Sequence, residues 1–209
     1  MPTQSVLHWL DGRGWLILSG GADDDIRAQA LGRVAADGGV ACVSLSGDPD
    51  ALADDIADMG APSGYLVDVF GEDDLTLRDK LGQAGMIVIV GGASAADARG
   101  ALSGAALEGI ETAYANGAVI LLEDYSAMAF GSWLIEDEVK PGLDWLIGAA
   151  VLTGVDDAAL NAKPILDAQP TAVAIAIMIG SALALGPDGQ VETWGRREVT
   201  IALGPAYGT

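Results

Sequence analysis

Residues 118–133, AVILLEDYSAMAFGSW, run as an apolar strand up to a serine and restart as a small-residue helix. A serine at such a junction has the chemistry of acyl transfer if three things accompany it: an accessible hydroxyl, a general base beside it, and N–H donors for the developing oxyanion. Ser126 is therefore a candidate nucleophile; the competing reading is a serine that only hydrogen-bonds locally at a strand end. The base is the missing part. The one histidine, His8 in SVLHWLDGRG, precedes the first strand. It reaches a strand-end site only if that segment folds back, or from a second subunit. In a terminal segment it reads as a partly exposed side chain beside Trp9. Lys140 and Lys163 lie in polar segments, and acidic surroundings raise a lysine's pKa rather than lowering it.

Carboxylates supply the other possible chemistry. Asp23, Asp24 and Asp25 follow the first apolar run, Glu72, Asp73 and Asp74 the third, and Glu123 and Asp124 the fifth. Clustered carboxylates can hold a hard cation such as magnesium. Acidic residues after strands also cap helices and complement the helix dipole, which accounts for the first and third clusters without a ligand. The capping reading is adopted, so no metal is assigned. Cys42, in the apolar run VACVSL, is the only cysteine; an internal disulfide and a cysteine-based zinc site are excluded, and it reads as a small core residue.

The elements that would position these groups alternate. Apolar runs at 14–21, 40–48, 64–71, 86–92 and 118–126 read as strands. Between them, 22–39, 50–60, 72–85 and 94–117 read as helices; the last is one long helix. The strands are apolar throughout, the mark of a parallel sheet covered on both faces. Right-handed crossovers then bring every strand's C-terminal end to one edge, where such sheets hold their ligands. Beyond 140 the pattern changes. GLDWLIGAAVLTG reads as a short helix and a strand, residues 156–171 as loop and helix, and 172–204 as short β segments around a Gly-Pro-Asp-Gly turn, an antiparallel finish to the sheet. The expectation is a three-layer α/β fold, mostly parallel sheet with helices on both faces, in a single domain over 1–209 with 1–13 as an N-terminal extension.

Composition bounds the partners. Thirty acidic against ten basic residues give a net charge of −20, which repels nucleic acid and anionic membrane surfaces. The same charge is either a solvated acidic surface or a lure for cationic ligands. No phosphate-binding loop or GxGxxG follows the first strand, so no nucleotide or other cofactor is expected. The N-terminus lacks a signal-peptide pattern. The longest apolar run, 172–186, falls short of the roughly 20 residues of a membrane span. The reading is a soluble, cytoplasmic protein. A 51% apolar content with mean hydropathy +0.36 points to buried subunit interfaces and a homodimer.

The order of motifs resembles the cyanophycinase and aspartyl dipeptidase (dipeptidase E) family of serine peptidases, which has a class I glutamine-amidotransferase-like fold. LILSGGAD matches its opening strand and Gly-rich turn, MIVIVGGAS the strand ending in Gly-Gly, and NGAVILLEDYSAMA the strand entering a Ser-Ala-Gly-Ala elbow. PGLDWL and AVAIAIMIGSALALGPDGQVETWGRREVTIAL match the closing segments, so the resemblance spans residues 14–204. It implies that Ser126 holds the nucleophile position, with backbone N–H groups of Ala127, Gly91 and Gly92 as oxyanion donors. Three departures oppose catalysis. Met128 stands where the family has Gly, Asp124 where a small residue is usual, and the histidine base is absent from the region of GAAVLTGVDD. Losing the base removes several orders of magnitude of rate. The expectation is a non-catalytic or strongly impaired relative with a binding or assembly role, taking an unknown small-molecule or peptide ligand. The alternatives are an amide hydrolase using Ser126 with a rearranged base, or a metal-binding protein using the acidic clusters.

Overall fold

A computed structural model describes residues 6–35, 38–61 and 63–208. Five parallel strands form its centre: β1 (Trp15–Ser19), β2 (Val40–Ser44), β3 (Gly64–Leu66), β4 (Met86–Val90) and β5 (Val119–Glu123). β10 (Ser181–Leu185), antiparallel to β1, and β11 (Val191–Gly195), antiparallel to β10, extend the sheet in the order β11-β10-β1-β5-β4-β2-β3. The apolar-throughout pattern has its expected cause. Leu16, Leu18, Ile120 and Leu122 enter one core, while Ile17, Val119 and Leu121 enter the core on the other face.

Helix α1 (Asp24–Leu31) and α2 (Pro49–Asp58) cover the second face through Ile26, Ala30, Leu52 and Ile56. α3 (Asp74–Gly82), α4 (Ala95–Leu102) and α5 (Ala105–Ala115) supply Leu77, Leu81, Leu102 and Ile110 to the first. Each buried Leu or Ile contributes about 1.5–3 kcal/mol through removal from water. The α/β class read from the sequence stands. One acid ahead of each of α1, α2 and α3 is a cap: Asp23, Asp48 and Asp73 each accept a backbone N–H of the helix that follows.

Three features differ from the sequence reading. The long helix over 94–117 is two helices, because Ser103 bonds back to the Arg99 carbonyl and Gly104 takes φ +74. Residues 142–145 are not helical. Their N–H groups bond the carbonyls of Ala129–Ser132, and Asp144 turns left-handed at φ 60. The C-terminal third is not merely an antiparallel finish but a second sheet. It contains β6 (Gly131–Ile135), β7 (Val139–Pro141), β8 (Leu146–Thr153), β9 (Val173–Ile177) and β12 (Val199–Leu203), in the order β12-β9-β8-β6-β7. Val151, Val173 and Ile175 of this sheet join the first core, along with the packed rings of Tyr114, Trp145 and Phe130. Its other face is covered by α7 (Ala158–Asn161) through Ala158 and α8 (Lys163–Ala168) through Ile165 and Leu166. Among the described residues no helix is long and apolar enough to cross a membrane.

Candidate active site

The parallel strands deliver their C-terminal ends to one edge. There β5 meets α6 (Tyr125–Ala129) with no loop between them, so the backbone must reverse at a single residue. That residue is Asp124, at φ 57 and ψ −122, a conformation a non-glycine residue adopts only under constraint, at a cost of about 1–3 kcal/mol. Several bonds hold it. Its N–H donates to Ser19 O at 3.1 Å, and its carbonyl accepts from Ala127 and Met128 at 3.0 and 3.2 Å. Its carboxylate Oδ1 accepts the Thr153 hydroxyl, at the end of β8, at 2.9 Å. Asp124 is exposed, and its Oδ2 has no protein partner among the described residues.

The backbone reversal thus lies two residues before Ser126. Ser126 is in the first turn of α6, fully buried, with its hydroxyl within 2.9 Å of the carbonyls of both Ile89 and Glu123. It has one proton to donate, and both acceptors face it. A larger side chain here would collide with the end of β4, so the small residue two places after the reversal has a packing reason.

Two of the three expected oxyanion donors are engaged within the protein. Ala127 N–H donates to Asp124 O at 3.0 Å, and Gly92 N–H to Ser46 Oγ at 2.9 Å. Gly91 and Gly92 both have positive φ, 81 and 113, and turn β4 against the elbow. A Cβ on Gly92 would lie 3.5 Å from that of Tyr125. Met128 is half-buried and does not share the reversal; with Tyr125, Ser94, Ile135 and Glu136 it lines a shallow surface cavity beside the elbow, of about 370 Å³.

His8 is elsewhere. Its carbonyl accepts from Ile147 N–H, and Trp9 bridges Leu146, at the start of β8. Thr153, which touches Asp124, ends that strand. Six residues of strand, about 20 Å, separate His8's neighbour from the elbow. Lys140 pairs with Glu136 and Lys163 with Asp167, so neither is placed as a base.

Beneath the elbow sits a buried ion pair. Arg27 of α1, 5% exposed, makes two 2.8 Å bonds to Glu123, 2% exposed, and a third at 3.2 Å to Asp55. The paired carboxylate holds the Arg27 guanidinium above its ordinary range. The pair fixes the last residue of β5, whose carbonyl meets Ser126.

Among the described residues no three His, Cys, Asp or Glu side chains converge to hold a metal. Asp24, Asp25 and Asp74 are exposed, Asp23 and Asp73 are caps, and Glu72 pairs with Lys80. Cys42 is buried, and burial pushes its thiol up to about 11. Sequence reasoning singled out Asp124 as opposing catalysis but missed that the backbone reverses there and that Thr153 bonds its carboxylate. The available signal was the spacing: the first exposed polar residue after β5, followed two residues later by a small one.

No family model matches this chain, and neither does any curated protein. Solved structures do. A peptidase from an acI-B1 Actinobacterium superposes with a TM-score of 0.75 over 93% of each chain at 16% identity. A candidate Peptidase E protein from Listeria monocytogenes EGD-e superposes with a TM-score of 0.65, over 87% of this chain and 98% of its own, at 13% identity. The fold is peptidase-like.

Proposed function

We propose that this chain is a non-hydrolytic protein on a peptidase-like fold, and that it binds a cationic group of a small molecule or peptide at the Asp124 carboxylate. One observation carries the reading: the constrained residue between β5 and α6 presents a carboxylate to solvent, while Ser126, two residues on, is buried with its hydroxyl on backbone carbonyls. A carboxylate at this position opposes formation of an adjacent oxyanion, and no imidazole lies near to accept a proton. What it offers is an acceptor. Thr153 orients Oδ1 and leaves Oδ2 for an ammonium or guanidinium donor, in a charge-assisted bond of the stronger kind. Asp156 and Asp157, exposed just after β8, add to the negative potential.

The test is a titration with lysine amide and with arginine-containing dipeptides, followed by calorimetry or by amide shifts of residues 92, 125 and 154. Saturable binding that is lost in Asp124→Asn is the expected result. Absence of binding, or binding that Asp124→Asn leaves unchanged, refutes the assignment.

A further inference from the structure

Open sheets end in strands with unpaired backbone groups, and soluble proteins guard such edges with charge, proline, shortness or a cover. Among the described residues there are four. β3 is three residues long; β7 is three residues and contains Lys140 and Pro141; β11 carries Glu192, which binds Arg33 and the Trp194 indole. β12, Val-Thr-Ile-Ala-Leu, has no charge, no proline and no bulge, in a chain of net charge −20. Among the described residues it pairs with β9 alone.

Backbone direction shows what the open side offers. Glu198 O accepts from Met178 N–H at 3.1 Å, and Gly204 N–H donates to Ala172 O at 2.9 Å. The residues in step with them, Thr200 and Ala202, therefore also point their backbone groups at β9, and Val199, Ile201 and Leu203 point theirs outward. The stretch is bounded at both ends: Arg197 turns left-handed at φ 62, and Pro205 has no N–H. Ile201 and Leu203 are 45% and 47% exposed.

We propose that β12 is a two-fold interface on which a second copy of this chain adds its own β12, antiparallel, with Ile201 on the axis. The strand is self-complementary. Ile201 N–H and C=O meet those of the partner's Ile201, and Val199 faces the partner's Leu203 in both directions. The outward N–H and C=O groups of three residues on each strand are then all satisfied. No charge is set against a like charge within the strip, which matters when both copies are strongly acidic. Each copy has one such strand, so the assembly closes at two and forms one ten-stranded sheet. The strip is smaller than the roughly 1,200 Å² of a standard interface, so the dimer forms reversibly with concentration.

Sedimentation velocity from micromolar to near-millimolar protein, at low and about 1 M salt, tests this, because salt shortens the reach of the repulsion. The expected result is a monomer–dimer equilibrium that tightens with salt and is lost in Ile201→Lys, with far-UV circular dichroism unchanged. Amide exchange on the unmodified protein gives a second readout: Val199, Ile201 and Leu203 slow by about tenfold or more at high concentration, while Thr200 and Ala202 are protected throughout. A monomer under all conditions overturns the proposal. So does a dimer in which those three amides exchange freely, or an assembly larger than two.

Discussion

Arg27→Ala tests how the elbow's foundation is held. The guanidinium is almost fully buried and satisfies both oxygens of Glu123, itself 2% exposed, with two 2.8 Å bonds. Removing it leaves a buried carboxylate without its counter-charge, at a cost of about 3–5 kcal/mol. The Asp55 contact contributes little, because that carboxylate is 59% exposed; at most about 1 kcal/mol goes with it. For a domain of this size each kcal/mol moves Tm by about 2–4 °C, so the variant melts roughly 6–20 °C lower. Denaturant unfolding of Arg27→Ala, of the single variants Arg27→Met and Glu123→Leu, and of the double variant that combines those two completes the test. The apolar double variant is expected to recover most of the loss, because replacing both buried charges removes the desolvation penalty with the attraction. An Arg27→Ala protein within about 1 kcal/mol of the unmodified chain, or strictly additive losses in the double variant, refutes the reasoning.

Two further outcomes follow from the geometry. Ser126→Ala removes a buried donor facing two carbonyls and costs about 1–2 kcal/mol by denaturant midpoint, while cation binding at Asp124 is unchanged; a loss of binding places the serine in the site. Asp73 is held below the usual carboxylate range by backbone and side-chain hydrogen bonds from Thr76 and by Leu75 N–H. Its folded value lies below its unfolded value, so its stabilisation is complete above the unfolded pKa and is lost as pH falls through the folded one. A carbon-detected titration is expected to show the lowered value, moving toward the ordinary range in Thr76→Ala.

Much of the architecture was legible in the chain. The parallel strands betray themselves because Ile17 and Leu18 face opposite cores and both must be apolar. The acidic clusters at Asp23 and Asp73 were legible as caps for the same reason: a carboxylate preceding a helix has orphan N–H groups to accept. The second sheet was hidden. β6 and β8 pair in parallel with the β7 strand between them in the chain, and local periodicity does not report which other strand a segment joins. The break at Gly104 was hidden because isolated glycines also occur inside helices.

The site was legible only in outline. The junction at the end of β5 was found, but the pattern drew attention to the hydroxyl, and the residue bearing the reversed backbone is the acid two places earlier. Side-chain type does not announce φ; Asp124 takes its conformation from Ser19, Thr153 and the first turn of α6, all fixed by tertiary structure. Thr153 lies in GAAVLTGVDD, where the family resemblance implies a histidine, and it reaches the elbow carboxylate with a hydroxyl instead.

Exposure of the intact protein to a fluorophosphonate, with peptide mapping by mass spectrometry, is the shortest route to the question of reactivity. A chain whose elbow is a carboxylate and whose adjacent hydroxyl is sealed against Ile89 and Glu123 gains no adduct, even at long incubation. A stoichiometric phosphonyl adduct on Ser126 contradicts the account.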